Sequence, residues 1–469
     1  MPNHRHRRPS KLWILSVLPI LLGALLLPTG AAQAGDSSPA DTMNTYVLPI
    51  GEYKLGTATR EGAEALDSVR AVAAHHAAGE IAPETVGPAS RFAQVSSLAT
   101  AVPPAPKRAS GARVAAAVTY PEPSRAMSAT ECRTALGSSK KFYLKSRFAI
   151  CSGASYVQTW FRNGQLVGES AFNVLAVGTI PANSRKIDVT YHVMDMRATG
   201  MNAAPNMQIT LNGKIAQSWP SGVTYTPGGT PLPATKTWAQ FLGAGSVQTS
   251  VTAANGKGNG GSTESIFAVY QPSVKVKAPA PWTLGGSTGG DLFMLAPRWD
   301  KASYLANSTK GGAATFSYMG TLYYSKAVGA PERAVALHIE KAFKTPGQTQ
   351  PPSSQKKVPG QTTDAPLTRL YTDSVRRERN RSVAISACVK YFGPDYAEGG
   401  KQCDEYPFAA TYEGSAGSEY DPKIPKNNFS VMALNGVENG NAGNLLGQFY
   451  GKHRLLDGPD DGFLVEITE

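Results

Sequence analysis

The chain has 469 residues, of which 41% are hydrophobic and 17% charged, and its 47 glycines and 34 prolines argue against a helical bundle. This length exceeds what one hydrophobic core usually holds, so we expect a globular protein with two or more domains, rich in β-structure, turns and linkers. The net charge of +12 is uneven: residues 35–360 carry 31 basic and 18 acidic side chains, whereas residues 361–469 carry 11 and 16. A basic middle region attracts polyanions or an acidic cell envelope, and it is equally consistent with a solvated surface that has no partner.

The N-terminus has the pattern of an export signal. Four basic residues between positions 5 and 11 precede the apolar run 12–27, and the small-residue site Ala32-Gln33-Ala34 follows. This pattern predicts a secretory signal peptide at residues 1–34, cleaved after Ala34. The apolar run is too short to read as a membrane span, and no later segment is apolar for long enough, so we expect a secreted protein without stable membrane insertion.

The four cysteines, Cys132, Cys151, Cys388 and Cys403, fit an exported protein with two disulfides. Three pairings are possible, and proximity in sequence favours Cys132–Cys151 and Cys388–Cys403. Each of these would close a loop of about 20 residues or fewer, which stabilises the fold by roughly 3 kcal/mol through the unfolded state. The spacing does not fit a zinc site, because the chain has no CxxC and no clustered histidines.

Residues 35–127 and 128–277 differ sharply in character. Residues 35–127 are poor in aromatics and rich in Ala, Pro and Ser, which indicates a low-complexity linker or prosegment with one weak helix at 60–79. Residues 128–277 predict an all-β, sandwich-like domain, because Asn163-Gly164 and Asn212-Gly213 are hairpin signals between strand-like flanks. Its predicted strands lie at 141–150, 156–161, 186–196, 207–211 and 265–270.

The remainder of the chain reads as a mixed segment, a linker and a small C-terminal domain. Residues 278–344 are mixed and contain a predicted helix at 331–343, with His338 on its apolar face beside Leu337 and Ala342. Residues 345–364 have almost no apolar side chains and predict a linker, so a domain boundary is expected near residue 365. The domain 365–469 is predicted to contain helices at 367–387 and 439–450 and strands at 428–434 and 462–468.

One short segment of that domain concentrates three carboxylates, a cysteine and a proline: Cys403-Asp404-Glu405-Tyr406-Pro407-Phe408-Ala409-Ala410-Thr411-Tyr412-Glu413-Gly414. In a strand, Asp404 and Glu405 would point to opposite sides. Two adjacent acids repel each other unless a metal or a basic group lies nearby, and a solvated turn beside a disulfide is the alternative. Acids on a first strand, a second strand and an asparagine at a helix start suit a metal-dependent phosphodiesterase, in which a base activates water.

Followed by Glu438-Asn439-Gly440-Asn441-Ala442-Gly443, this segment resembles the NucA/NucB deoxyribonuclease family. The upstream Asn380-Arg381 and Cys388 are similar to the secreted actinobacterial-type multidomain members of that family. The resemblance covers about residues 365–469. It implies a small α+β nuclease domain of the ββα-metal type, which cleaves DNA with little sequence preference and uses a divalent cation, Mg²⁺ or Mn²⁺.

The resemblance also assigns residue roles. The general base is usually His in that superfamily but Asp in this family, and here the assignment falls on Asp404. Asn439 would be a metal ligand, and Glu413 a support or a ligand through water. Glu405 would orient the site or bind a neighbouring basic group. Arg381 would clamp phosphates, with a solvated helix face as the alternative.

We therefore expect a secreted, metal-dependent DNA endonuclease. Two alternatives remain at this stage. One is a cell-envelope or glycan-binding protein, in which the β-rich domain binds an envelope polymer and the nuclease domain is inactive. The other is a toxin-like nuclease directed at competing cells.

Overall fold

The computed structural model describes residues 41–51, 53–56, 118–137, 142–256, 258 and 263–469. The predicted signal peptide, the predicted helix at 60–79 and most of the predicted low-complexity region lie outside the described residues. Within the described part of the chain, no helix is both long enough and apolar enough to cross a bilayer.

The β-rich domain consists of two sheets that face each other across one core. The first sheet contains β1 (Thr42–Leu48), β2 (Phe142–Ser146), β3 (Ala149–Arg162), β4 (Gln165–Thr179), β5 (Lys186–Gly200), β7 (Tyr225–Gly229), β9 (Ser246–Ala253) and β11 (Thr283–Gly286). The second contains β6 (Gln208–Trp219), β8 (Ala234–Thr237), β10 (Thr263–Lys277), β12 (Gly289–Asp291), β13 (Pro297–Ala302) and β14 (Ala313–Phe316). Two α-helices, α1 (Ala129–Leu136) and α2 (Trp238–Ala244), and 3₁₀ turns at Ala204–Asn206 and Ser308–Lys310 complete the domain.

The sheet orders are β11-β1-β3-β4-β5-β9-β7, with β2 also on β3, and β14-β13-β10-β6-β8, with β12 beside β10. Alternation of apolar residues explains the inner faces: along β5, Ile187, Val189, Tyr191 and Val193 are all buried. They share one hydrophobic core with residues of the second sheet such as Trp299. This is a sandwich-like arrangement.

Strand β1 comes from the region predicted as low-complexity linker or prosegment. It pairs antiparallel with β3 along its whole length and parallel with β11, so it is an internal strand of the first sheet. Met43 and Leu48 are buried in the domain. Residues 42–48 are therefore part of the β-rich fold, and removal of all of residues 35–127 would take an internal strand with it.

One of the two predicted hairpins is correct. Asn163 and Gly164 have φ values of 51° and 75° and join β3 to β4, as a type I′ turn requires. The hairpin at Asn212-Gly213 is wrong, because β6 runs through it and pairs with β10 on both sides. A Cβ atom on Gly213 would lie 2.1 Å from the Tyr270 hydroxyl, so the glycine permits close approach of a side chain rather than a turn.

The C-terminal domain has helices on both faces of a small hairpin. Its elements are β15 (Gly320–Ser325), α3 (Arg333–Lys344), β16 (Leu367–Thr368), α4 (Ser374–Phe392), β17 (Lys401–Tyr406), α5 (Gly417–Tyr420), β18 (Ser430–Asn435), α6 (Gly436–Lys452) and β19 (Gly462–Thr468), with 3₁₀ turns at Pro346–Gln348 and Glu398–Gly400. Helix α4 begins seven residues later than predicted, because Leu367 and Thr368 pair with β19 and the Asp373 side chain caps the helix by accepting from Arg376 N at 2.8 Å.

The core of this domain begins well before residue 365. Strand β15 pairs in parallel with β19, from Gly320 beside Phe463 to Ser325 beside Thr468. Residues of β15 and α3, including Tyr324 and Ile339, lie in one hydrophobic cluster with residues of β17 and α6. The structure therefore places part of the predicted mixed segment 278–344 in the same core as residues 365–469.

The segment 345–364, predicted as a linker, is held against the domain. Val431 N donates to Gln350 O at 2.7 Å, and Val465 N donates to Gly360 O at 2.7 Å. Lys356 is buried and donates to Pro351 O at 2.6 Å. Composition suggested a linker because few side chains here are apolar, but backbone hydrogen bonds to β18 and β19 fix the segment instead.

Buried charges join the two domains. Arg147, in the turn between β2 and β3, binds Asp461 Oδ1 at 2.6 Å, and Arg298 of β13 binds the other oxygen of Asp461. Arg298 also contacts Asp300 at 3.2 Å, and Asp300 in turn pairs with Arg454. All five side chains are buried, so neighbouring charged groups, rather than water, compensate each charge.

Candidate active site

The hairpin of β17 and β18 separates two sets of side chains. Asp404 pairs in register with Met432, and Tyr406 with Ser430, so these four side chains share the face that packs on α3 and α6. Cys403 and its partners on β18 face α4 on the other side. Asp404 and Glu405 therefore point to opposite faces of the strand, as the period of two predicts.

Both predicted disulfides are confirmed. Cys132 and Cys151 join α1 to β3, with Cα atoms 6.2 Å apart. Cys388 and Cys403 join α4 to β17, with Cα atoms 6.1 Å apart. The second bond ties the helix that carries Arg381 to the strand that carries Asp404.

Asp404 is held by a histidine that the sequence analysis did not select. The His338 Nδ1 atom lies 2.5 Å from Asp404 Oδ2, and His338 Nε2 lies 2.7 Å from Ser430 Oγ. Asp404 is 6% exposed and His338 only 1%. The single signal in the sequence was a polar residue on the apolar face of the helix at 331–343; nothing local pointed to a partner in β17.

Glu405 lies on the opposite face of β17 and accepts a hydrogen bond from Ser415 Oγ at 2.8 Å. Burial raises the pKa of Glu405 to about 7, and the hydrogen bond from Ser415 opposes part of that rise. The positive charge of Arg381 also lowers the pKa, but the direct partner of Glu405 is a serine hydroxyl. Near neutral pH this carboxyl is therefore divided between its protonated and ionised forms.

Glu413 is a half-buried residue that fits a supporting role. Thr368 donates to it twice, from its backbone N at 2.9 Å and from its hydroxyl at 2.6 Å. Burial raises the pKa of Glu413, and these hydrogen bonds lower it. Of the two roles that the resemblance implied, the position of Glu413 against β16 fits support of the loop that follows β17.

Asn380, buried on α4, organises that loop. Its Nδ2 atom donates to Ala409 O at 3.0 Å and to Thr411 O at 3.1 Å, and its Oδ1 atom accepts from Ala416 N at 3.1 Å. The loop approaches so closely that a Cβ atom on Gly414 would lie 2.4 Å from Asn380 Nδ2. The Glu-Gly pair of the motif therefore combines a half-buried carboxylate with a position that has no room for a side chain.

Asn439 lies in the first turns of α6. That helix is capped by Asn435, whose side-chain oxygen accepts from Val437 N at 2.9 Å and from Glu438 N at 3.3 Å. The Asn439 Nδ2 atom donates to Gln402 Oε1 at 3.1 Å. With the amide nitrogen engaged, the Asn439 amide oxygen is the atom that can bind a cation.

A cleft of about 440 Å³ brings four of the five predicted site residues together. Asp404, Glu405, Arg381 and Asn439 all line it, and Glu413 does not. The remaining walls come from β15, α3, α4, β17 and its following loop, and α6: Tyr324, Val335, Ala384, Ile385, Gln402, Cys403, Phe408, Ala409, Ala410, Gly440, Ala442, Gly443 and Leu446.

The other arginines of α4 are engaged elsewhere. Arg379 forms a two-pronged pair with Glu419 at 2.7 and 2.8 Å. Arg376 donates to Tyr412 O at 2.7 Å, and Arg377 donates to a backbone carbonyl at 3.1 Å. Within the described residues, the hydrogen-bonded side-chain partner of Arg381 is the exposed Glu378, at 3.2 Å, and the Arg381 side chain is 57% exposed beside the cleft. Among these four arginines, Arg381 is the one available to a ligand in the cleft.

The oxygen donors of the cleft suit a hard cation. Within the described part of the chain, no three His, Cys, Asp or Glu side chains converge into a metal-binding group. The cleft is instead lined by the Asn439 side chain and by the carboxyls of Asp404 and Glu405. Mg²⁺ keeps several waters and takes one or two protein oxygens together with substrate phosphates, so this set fits such an ion better than it fits zinc.

Comparison with known proteins supports the resemblance. Residues 355–465 match the model of the family Deoxyribonuclease NucA/NucB. No curated protein matches the chain. The match spans β16 to β19 and includes all the predicted site residues, but it excludes α3 and His338. The C-terminal region of this chain is therefore a NucA/NucB-like nuclease domain.

Proposed function

We propose that this protein is a secreted, metal-dependent DNA endonuclease that hydrolyses phosphodiester bonds with little sequence preference. The observation that carries the proposal is the cleft of the NucA/NucB-like domain, where Asp404, Asn439 and Arg381 come together. A proton acceptor can activate water, an oxygen ligand can hold a divalent cation, and an exposed guanidinium can bind phosphate, and phosphodiester hydrolysis can use all three.

In the proposed mechanism, Asp404 accepts a proton from a water molecule. The water oxygen bonds to phosphorus, the bond to the leaving oxygen breaks, and the leaving oxygen takes a proton from solvent. Arg381 orients the phosphate through its N–H groups. Asn439 would hold the divalent cation by its amide oxygen, and when bound the cation offsets the charge that develops on the phosphate and the leaving oxygen. Contacts of this kind address the phosphate backbone, which carries no direct sequence information.

The proposal also covers how the protein attracts DNA and that it is exported. Residues 361–469 have 5 more acidic than basic residues, so attraction to DNA is assigned to the metal and to the net charge of residues 35–360, where 31 basic and 18 acidic residues leave +13. Export is supported by the signal pattern at residues 1–34 and by the two disulfides, which persist in oxidising compartments. Binding of a cell-envelope polymer by the β-rich domain stays a prediction that rests on the basic charge of that region.

The test is cleavage of supercoiled plasmid by the full chain with its disulfides formed, in Mg²⁺ or Mn²⁺ and in EDTA. We expect cutting with metal, no cutting in EDTA, and a rate reduced about 10²- to 10⁴-fold in Asp404→Asn. The matched control is Asp395→Asn, which changes an exposed acid outside the cleft and should keep the native rate.

Two outcomes would contradict parts of the proposal. A folded protein that cuts no DNA in any metal would overturn the nuclease function and favour the inactive-domain alternative. Cutting that survives Asp404→Asn would keep the nuclease function and move the general base elsewhere.

A further inference from the structure

We infer that His338 is a positioning residue of the nuclease site, which together with Ser430 holds Asp404 in the orientation needed to accept a proton from water. The inference rests on the proposed nuclease function. It also extends the catalytic unit to α3, which lies outside the residues that match the family.

His338 forms a hydrogen bond to each of the two strands of the β17–β18 hairpin. Asp404 is on β17 and Ser430 is on β18, and both face α3. One imidazole nitrogen lies 2.5 Å from the Asp404 carboxylate, and the other lies 2.7 Å from the Ser430 hydroxyl. A buried carboxylate with one oxygen fixed this way cannot rotate freely, so its other oxygen keeps a constant direction relative to the cleft.

His338 is not itself placed to serve as the base. Both of its nitrogens are engaged, it is 1% exposed, and it does not line the cleft, whereas Asp404 does. With the Ser430 hydroxyl donating to Nε2, the Nδ1–H group of the ring donates to Asp404 Oδ2. The Oδ1 atom of Asp404 is then the oxygen that receives the proton from water.

Helix α3 is fixed to the other half of the site. Glu438, in the first turn of α6, accepts from Ala334 N of α3 at 3.1 Å. Asn441 donates from its side chain to Pro331 O at 3.1 Å. Asn439 lies between these two anchors on α6. The residue that orients the base and the residue assigned to the cation are thus carried by two helices that are hydrogen-bonded to each other.

The experiment compares full-chain variants for kcat and KM on duplex DNA, for DNA affinity in EDTA and for thermal midpoint. His338→Leu removes both hydrogen bonds, whereas His338→Asn keeps an amide N–H that can replace the Nδ1 donor. We expect His338→Leu to lower kcat about 10²-fold, with DNA affinity in EDTA changed less than about threefold. His338→Asn should recover at least about tenfold of that loss, and Ser430→Ala should give an intermediate kcat.

A double variant separates positioning from simple loss of stability. If His338 acts through Asp404, then His338→Leu combined with Asp404→Asn should be no slower than Asp404→Asn alone. The matched control is Ile339→Val, a conservative change at the next residue of α3, which is buried and does not line the cleft; its kcat should stay native even if its thermal midpoint falls.

The outcomes distinguish this inference from the proposed function. An unchanged kcat in a folded His338→Leu, or losses that multiply in the double variant, would overturn the positioning role while native cutting continues. Should His338→Leu fail to fold, native kcat in both His338→Asn and Ser430→Ala would overturn it as well. Absence of cutting by the native chain would instead remove the proposed function itself.

Discussion

Glu405 makes the folded protein sensitive to pH in a direction opposite to that of most carboxylates. Burial raises its pKa from 4.5 to about 7, so between these values the folded state holds a proton that the unfolded state has released. Stability therefore falls as pH rises through this window and stays reduced above it. At about 1.36 kcal/mol for each pH unit, ionised Glu405 costs the folded state about 3 kcal/mol at pH 8.

The perturbation that exposes this cost is Glu405→Gln. The glutamine oxygen can still accept from Ser415 Oγ, but the side chain no longer ionises. We expect the variant and the native protein to be equally stable near pH 4.5, and the variant to be more stable by about 2–3 kcal/mol at pH 8. The assay is urea unfolding at a series of pH values, in EDTA and without DNA, with both disulfides intact.

Glu419→Gln provides a control of opposite sign. Hydrogen bonding from Arg379 lowers the pKa of Glu419, so its contribution to stability is present above its unfolded pKa and is lost as the pH falls through the folded pKa. Removing this charge should therefore weaken the protein at pH 8 and have no effect in acid. A stability difference between Glu405→Gln and native protein that is constant with pH, or that shrinks as pH rises, would refute the account of Glu405.

Two further predictions concern packing. Asp461→Asn leaves two buried arginines without their shared carboxylate and should lower the free energy of unfolding by about 3–5 kcal/mol. Glu466→Gln, at an exposed position of the strand that follows Asp461, should change it by less than about 0.5 kcal/mol. Equal urea midpoints for the two variants would contradict the buried ion cluster. Gly414→Ala forces a Cβ atom against Asn380, so it should lower the free energy of unfolding by about 1–3 kcal/mol and slow DNA cleavage. Gly447→Ala, with open space on α6, should leave stability unchanged or raise it. A native melting temperature and cleavage rate in Gly414→Ala would show that the loop can move to accommodate the methyl group.

Features that depend on nearby residues could be read from the sequence. The Asn163-Gly164 turn follows from two residues that tolerate positive φ, and the final strand Gly462–Thr468 follows from alternation over seven residues. The disulfide pairs join cysteines that are 19 and 15 residues apart, where loop closure favours the shorter pairing. The motif from Cys403 to Gly414 identified the nuclease region and placed Asp404 on a strand facing away from Glu405.

Features that depend on which elements meet could not be read in this way. Asn212-Gly213 has the same turn chemistry as Asn163-Gly164, yet it lies inside β6, which pairs with β10 on both sides of it, and the glycine leaves room for two tyrosine hydroxyls. The resemblance left Glu413 as a support or as a ligand through water, and only its hydrogen bonds to Thr368, away from the residues that line the cleft, favour the supporting role.

The domain limits and the contacts that support the site also depend on which elements meet. Composition set a boundary near residue 365, because polar residues dominate the segment before it, whereas the parallel pairing of β15 with β19 brings residues from 320 onward into the nuclease core. The sequence by itself determined the nuclease motif, the Asn163-Gly164 turn, the final strand and the disulfide pairs, since these follow from short-range chemistry. Only the tertiary structure decided that His338 meets Asp404, 66 residues away, because a buried contact between α3 and β17 depends on how whole elements pack and leaves no periodic trace in the chain.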